Sequence, residues 1–207
     1  MSSLQYFDDV ATQWDKMRTD FFSEAVRIKA IQTANVKPGH IAADIGAGTG
    51  FITEGLIKYG VQVMAIDQSQ KMLNVLQQKF GSRGNISIHQ GESQNLPLED
   101  QSVDFAFANM YLHHVENPPL SIKEINRILK PGGKLIITDL DLHDFDFLLK
   151  EHNDRWPGFE RESIKEWLLN AGFTAVNVDC VNQRCKASSS GGLKHADISI
   201  FIASGVK

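Results

Sequence analysis

The sequence predicts an α/β domain, doubly wound on a mostly parallel seven-stranded sheet, with helices on both faces and an antiparallel last strand. Three observations predict it. From Ile41 onward, short apolar runs alternate with segments of helical period, and that alternation means parallel strands joined by right-handed crossovers. The first run ends in a glycine-rich turn, Asp44-Ile45-Gly46-Ala47-Gly48-Thr49-Gly50, that leads straight into a helical segment. The last two runs are separated only by the Ser/Gly-rich stretch 188–192, so they pair as an antiparallel hairpin at the sheet edge.

Each element follows from its own local signal. The first strand is IAADI at 41–45, followed by a helix over 51–59 that Gly60 stops, as a residue just past a helix end commonly does. The second strand spans 61–66, and a helix over 70–80 ends at Gly81. Strands at 86–89 and 103–108 come next. The second of these is almost wholly apolar, as in a strand covered on both faces. A helix over 119–129 is punctuated by Lys130-Pro131-Gly132-Gly133, and KLIIT at 134–138 is the fifth strand. A helix over 164–171 opens on a capping box, Ser163 with Glu166 three residues on. Strands at 174–180 and 197–203 close the series. The residues before the first strand carry two helical patterns, 10–17 and 21–35. Residues 1–36 are read as a helical extension or lid, and 37–207 as the ligand-binding domain, in one structural domain overall.

Composition narrows the function. Of 207 residues, 42% are hydrophobic and 22% charged, the balance of a packed globular chain. The net charge is −4 and the basic residues are scattered, so no clustered surface invites nucleic acid. No apolar stretch is long enough for a membrane span, the first residues lack the pattern of a signal peptide, and a cytoplasmic location is expected. Cys180 and Cys185 lie five apart, which is neither a secreted disulfide framework nor zinc-ligand spacing; a reduced pair is expected.

Ligands of open α/β sheets bind at the carboxyl ends of the strands, where the strand order reverses. Glycines at the end of the first strand let backbone approach a ligand closely. Asp67 ends the second strand, placed to accept hydrogen bonds from ribose hydroxyls. Together these imply a nucleoside cofactor. The dinucleotide fingerprint fails because its last glycine position holds Phe51. Asp44, two residues ahead of the first glycine, would repel a pyrophosphate but suits a cationic amino group. A nucleoside with a positively charged tail, such as S-adenosylmethionine, fits.

DIGAGTG, the acidic Asp67 in AIDQS, QGESQNLP, VDFAFANMYLHHV and RILKPGGKLIITD resemble the successive motifs of class I S-adenosylmethionine-dependent methyltransferases, which share a Rossmann-like sheet. The closest resemblance is to the small-molecule branch that includes ubiquinone and menaquinone biosynthesis enzymes. It covers residues 6–172. The resemblance implies that Gly46, Ala47, Gly48 and Gly50 form the turn against the methionyl part, with Asp44 orienting its amino group directly or through water. It implies that Asp67 holds the ribose and Gln68 flanks the adenine. Glu92 and Ser93 read the adenine edge, Glu92 standing where many members have Asp. Asn109 and Met110 close the methionyl side.

Methyl transfer from a sulfonium is an in-line displacement, and alignment of the reactants supplies roughly 7–11 kcal/mol of the barrier. A general base is needed only for a weakly acidic acceptor. His113 and His114, just past the fourth strand, are the catalytic candidates, since imidazole titrates near neutrality; the alternative is packing at a turn. Tyr6 and Trp14 are candidates for the acceptor pocket or for core contacts. The cluster Asp139, Asp141, His143, Asp144 and Asp146 is read as a surface loop rather than a metal site, and no metal is expected. A thiol or metalloid acceptor at Cys180 and Cys185 is the lesser reading of that pair. The expected partner is a small-molecule acceptor, with no nucleic acid. Three alternatives stay open: a non-catalytic S-adenosylmethionine-binding protein, a protein or RNA methyltransferase, and a nicotinamide-dependent oxidoreductase. Against the nucleic-acid reading, Asn109-Met110-Tyr111-Leu112 is not the NPPY-like tetrapeptide of amino-methylating enzymes. Oligomeric state and acceptor identity have no signature in the sequence.

Overall fold

The computed structural model describes residues 3–207. Its strands are β1 (Ile41–Ile45), β2 (Gln62–Asp67), β3 (Ile86–Gln90), β4 (Val103–Asn109), β5 (Leu129–Leu140), β6 (Thr174–Ser188) and β7 (His195–Val206), in the sheet order β3-β2-β1-β4-β5-β7-β6. The first five pair in parallel. β7 inserts between β5 and β6 and runs antiparallel to both. The expected fold class holds, hairpin included. The chain leaves β1 toward β2 and β3, then returns to β4 on the other side of β1. That reversal opens a crevice at the carboxyl ends of β1 and β4.

The helices are α1 (Ser3–Val10), α2 (Trp14–Phe21), α3 (Glu24–Ala34), α4 (Phe51–Lys58), α5 (Gln70–Phe80), α6 (Pro118–Ile128), α7 (Asp146–Glu151) and α8 (Arg161–Asn170). Local chemistry starts several of them. The Ser69 hydroxyl accepts from the Met72 amide at 3.1 Å to cap α5, and the Asn117 side chain accepts from Leu120 at 3.1 Å to cap α6. Pro118 and Pro119 occupy the first turn of α6, where a missing N–H costs nothing.

Strand alternation sends side chains to two cores. Phe107 of β4 and Ile136 of β5 pack with Ile31 of α3 and Leu56 of α4. Ala106, Leu135 and Ile137 face the other way, against Ile122 and Ile125 of α6 and Leu168 of α8. Among the described residues no helix is long and apolar enough to cross a membrane.

Several boundaries depart from the sequence reading. The two amino-terminal helical patterns resolve into three helices, interrupted near Ala11 and at Phe22. Phe22 is extended and buries its ring against Phe51, with centroids 5.2 Å apart; burying that ring outweighs continuing the helix. Helix α7 begins at Asp146, the last member of the acidic cluster expected in a surface loop, and continues beyond it because Phe147 and Leu148 are buried. The Ser163–Glu166 capping box does not form. Helix α8 already begins at Arg161, whose guanidinium donates to both oxygens of Asp141 at 2.7 and 2.6 Å, and this long-range ion pair sets the start.

Candidate functional site

The glycine turn owes its shape to three left-handed residues, Gly46, Gly48 and Gly50. Asp67 pins it. One carboxylate oxygen accepts from the Gly48 amide and the other from the Ser69 amide, each at 2.8 Å. The Ala47 amide adds a bond to the Ile66 carbonyl at 3.0 Å. Burial pushes the Asp67 carboxyl upward, against the pull of these amide donors. At Gly46 glycine is also a steric need: a Cβ there would meet the Tyr111 ring at 2.1 Å.

Asp44 is buried near the carboxyl end of β1. It is 2% exposed, and one carboxylate oxygen accepts from the Thr53 amide at 2.9 Å and from its hydroxyl at 2.6 Å. This is a cap on the first turn of α4. Burial, opposed by those two bonds, pushes the carboxyl up to about 6 from 3.8. Folding raises this pKa, so its contribution to stability is fully present below about 3.8 and is lost as pH rises through about 6. In urea unfolding, wild type should therefore gain on the non-titrating Asp44→Asn variant as pH falls from 7 to 5. A gap that stays constant over that range would show that the buried carboxyl does not titrate there.

The crevice is lined by Gly46, Ala47, Gly48, Asp67, Gln68, Asn109 and Met110, and from the amino-terminal helices by Phe7, Trp14 and Arg18. A polar continuation is lined by Gln68, Glu92, Ser93 and Gln94. Tyr111 and His114 border both parts. Of the residues expected at a cofactor, Asp44 and Gly50 are the two not brought to the lining. A Cβ on Gly50 would meet Phe80 at 2.8 Å, so this glycine serves helix packing. Arg18 and Tyr111 carried no signal in the sequence. The Arg18 Nε is buried without a hydrogen-bond partner while the guanidinium stacks 4.2 Å from the Phe51 ring centroid. A buried unpaired donor beside a crevice fits a ligand carboxylate.

The amino-terminal helices span the crevice. Asp15 accepts from the Thr49 hydroxyl at 2.6 Å and from Lys79 at 2.8 Å. Asp8 accepts from the Ser69 hydroxyl at 2.6 Å, and Tyr6 bonds His152 at 3.1 Å.

Beside the crevice lies a second, largely apolar pocket. Tyr6, Phe21, Leu140, Leu148 and Ala187 line it, and its polar side carries His113, His114, His152 and Asp154. It shares Phe7, Trp14, Phe22, Met110 and His114 with the crevice. A sharp turn aims the two histidines. Met110 takes a left-handed conformation, φ 49°, which costs of order 1–3 kcal/mol and is held by its amide bond to the Thr138 carbonyl at 2.7 Å. Asp139, at the end of β5, then gathers the turn. It accepts from the amides of Tyr111, Leu112 and Leu140 at 3.2, 2.8 and 2.8 Å and bonds His113 Nδ1 at 2.5 Å.

Burial opposes charge on His113, but Asp139 overrides it and raises the ring to about 9. His114 is lowered well below the ordinary range, by burial first and then by the charge of His113. Asp154 contributes an acid that no motif or spacing announced.

The remaining members of the Asp139–Asp146 cluster disperse. Asp141 pairs with Arg161, His143 Nδ1 accepts from the Phe145 amide at 3.2 Å, and Asp144 and Asp146 are exposed. Both cysteines are free thiols. Cys185 lines the apolar pocket alone of the pair, and burial pushes its thiol up to about 12, so a thiolate pair is not assembled there.

Residues 43–137 match the family profile described as a methyltransferase domain. The demethylmenaquinone methyltransferase of Paenarthrobacter aurescens is 34% identical, over 82% of this chain and 78% of that one. Staphylococcus carnosus demethylmenaquinone methyltransferase is 29% identical over 64% of this chain, which spans 58% of that enzyme's length. The crystal structure of an S-adenosylmethionine-dependent methyltransferase from Aquifex aeolicus shares the fold, with a TM-score of 0.68, 22% identity, and coverage of 95% of this chain and 97% of that one. Fold, glycine turn and relatives agree: the chain belongs to the class I S-adenosylmethionine-dependent methyltransferases, in the branch that holds the demethylmenaquinone enzymes.

Proposed function

We propose that the chain transfers a methyl group from S-adenosylmethionine to a small, largely apolar acceptor. One observation carries the reading: a nucleoside-type crevice and an apolar pocket lie side by side and share Phe7, Trp14, Phe22, Met110 and His114. Donor and acceptor cavities in contact are what an in-line displacement requires. Bound S-adenosylmethionine supplies a methyl already activated on a sulfonium.

The residues divide the work. Asp67 takes the ribose hydroxyls while holding the Gly48 amide in place, and Gln68, Glu92 and Ser93 surround the adenine. Gly46, Ala47 and Gly48 present backbone to the methionyl part, closed by Asn109 and Met110. Arg18 pairs with the methionyl carboxylate, which accounts for its unpartnered Nε. Asp44 acts through the turn, by capping α4. Trp14, with Phe7, separates the two cavities from solvent, and Tyr6 walls the acceptor pocket. His113 and His114 form the polar end at which the acceptor's nucleophilic atom docks. The demethylmenaquinone relatives support a ring-bearing acceptor.

The test joins calorimetry to turnover. Wild type should bind S-adenosylhomocysteine and not NADH. Arg18→Ala should bind it roughly tenfold more weakly, since a charge-assisted hydrogen bond contributes about 1.5–3 kcal/mol. A panel of phenolic, quinol and thiol acceptors should then yield a methylated product, with turnover falling at least about 100-fold in His113→Ala and His114→Ala. Binding without turnover across the panel would favour a non-catalytic protein. Turnover within a few-fold of wild type in both histidine variants would remove them from the chemistry.

A further inference from the structure

We propose that His113, His114 and Asp154 bind a divalent transition-metal ion at the polar end of the acceptor pocket. One ligand atom from each residue lies within 4.8 Å of the others. The Asp154 carboxylate stands 3.9 Å from His113 Nε2 and 3.8 Å from His114 Nδ1, and the three side chains are 5, 6 and 10% exposed. These separations are too long for hydrogen bonds. They are close to what ligands on one ion require: atoms held about 2.1 Å from a tetrahedral centre stand roughly 3.4 Å apart.

Two further observations point to a ligand. His114 Nδ1 is buried and has no hydrogen-bond partner, an unfavourable omission that an ion would repair. His113 is prepared on its far side. Its Nδ1 faces Asp139 at 2.5 Å, and Asp139 is itself fixed by the Leu112 and Leu140 amides. A carboxylate behind an imidazole is the usual support of a metal-bound histidine, because it fixes the tautomer and turns the other nitrogen's lone pair to the ion.

The donor set argues for the kind of ion. Two nitrogens and one carboxylate suit zinc or iron(II) rather than calcium or magnesium, which take oxygen ligands. Three protein ligands leave at least one position open, and all three line the pocket in which Tyr6 and Met110 also lie. Two neutral rings and one carboxylate leave a divalent ion with net positive charge. An acceptor hydroxyl or thiol bound at the open position would release its proton to solvent and keep the electron pair for attack on the methyl. This use of the ion rests on the methyl-transfer reading; its binding does not.

The experiment titrates chelator-treated full-length protein with Zn²⁺ in competition with a chromophoric chelator, and with Co²⁺ by visible absorption. One ion per chain is expected, with cobalt bands of four- or five-coordinate nitrogen and oxygen ligation and a zinc-induced rise in melting temperature. Asp154→Asn and His113→Gln should each weaken zinc by more than about 100-fold, beyond the 10–100-fold that losing an outer partner costs. His143→Ala should bind as wild type does. No binding at micromolar zinc, or equal affinity in both ligand variants, would overturn the site. The cobalt spectrum needs no variant, so a variant that fails to fold leaves the test standing. Failure of the same protein to bind S-adenosylhomocysteine would sink the methyl-transfer reading and leave the zinc result as it is.

Discussion

Replacing Asp67 by alanine is expected to weaken S-adenosylhomocysteine binding about 100-fold or more, the largest single effect on the cofactor. The carboxylate has two duties. In the proposed complex it accepts from the ribose hydroxyls, each bond contributing about 1.5–3 kcal/mol when one partner is charged, and tenfold in affinity corresponds to about 1.4 kcal/mol. In the protein itself it already holds the Gly48 and Ser69 amides at 2.8 Å. Alanine therefore removes ligand contacts and also frees the turn that positions Gly46 and Gly48. Asp67→Asn keeps the shape and one acceptor oxygen, so it should lose roughly tenfold. Isothermal calorimetry on wild type and both variants checks this. An alanine variant that binds within threefold of wild type would mean that the ribose sits elsewhere.

Asp139→Ala should be the most destabilising substitution in the site, by about 3–5 kcal/mol, as found when one partner of a buried charged pair is removed. Asp139 is fully buried and accepts from three backbone amides as well as from His113. Alanine strands all four donors, and unmade buried bonds cost about 1–3 kcal/mol apiece before relaxation or entering water offsets them. At about 2–4 °C per kcal/mol for a chain of this size, the melting temperature should fall by about 6–20 °C. Urea unfolding with an unchanged slope would confirm a loss of stability rather than a change of unfolded state. A loss below about 1 kcal/mol would show that the turn after β4 is held by packing alone.

Both variants test features read from different kinds of information. Asp67 was marked by its place at the end of the second apolar run, and the chain around it obeys local rules: α5 spans Gln70–Phe80 as expected, with Ser69 as its cap. The acidic run after β5 shows the opposite. Its composition suggested a surface loop, yet Asp139 is a buried acceptor, Asp141 sets the start of α8, and Phe147 and Leu148 hold α7 against the core.

By itself the sequence determined the sheet, the closing hairpin and the glycine turn, because each depends on periodicity or backbone freedom within a few neighbouring residues. It also placed Asp67, His113 and His114 at strand ends on the crevice side. Only the tertiary structure decided that His113, Asp139 and Asp154 meet, or that Arg18 and Tyr111 border the crevice. Their spacing in the chain carries no signal. Their meeting depends on β5 lying beside β4 and on the chain after α7 folding back beneath the two histidines. The same packing turned Asp44 into a helix cap: a carboxylate at a strand end is legible in the chain, but its partner is settled by whichever donor the fold brings within reach.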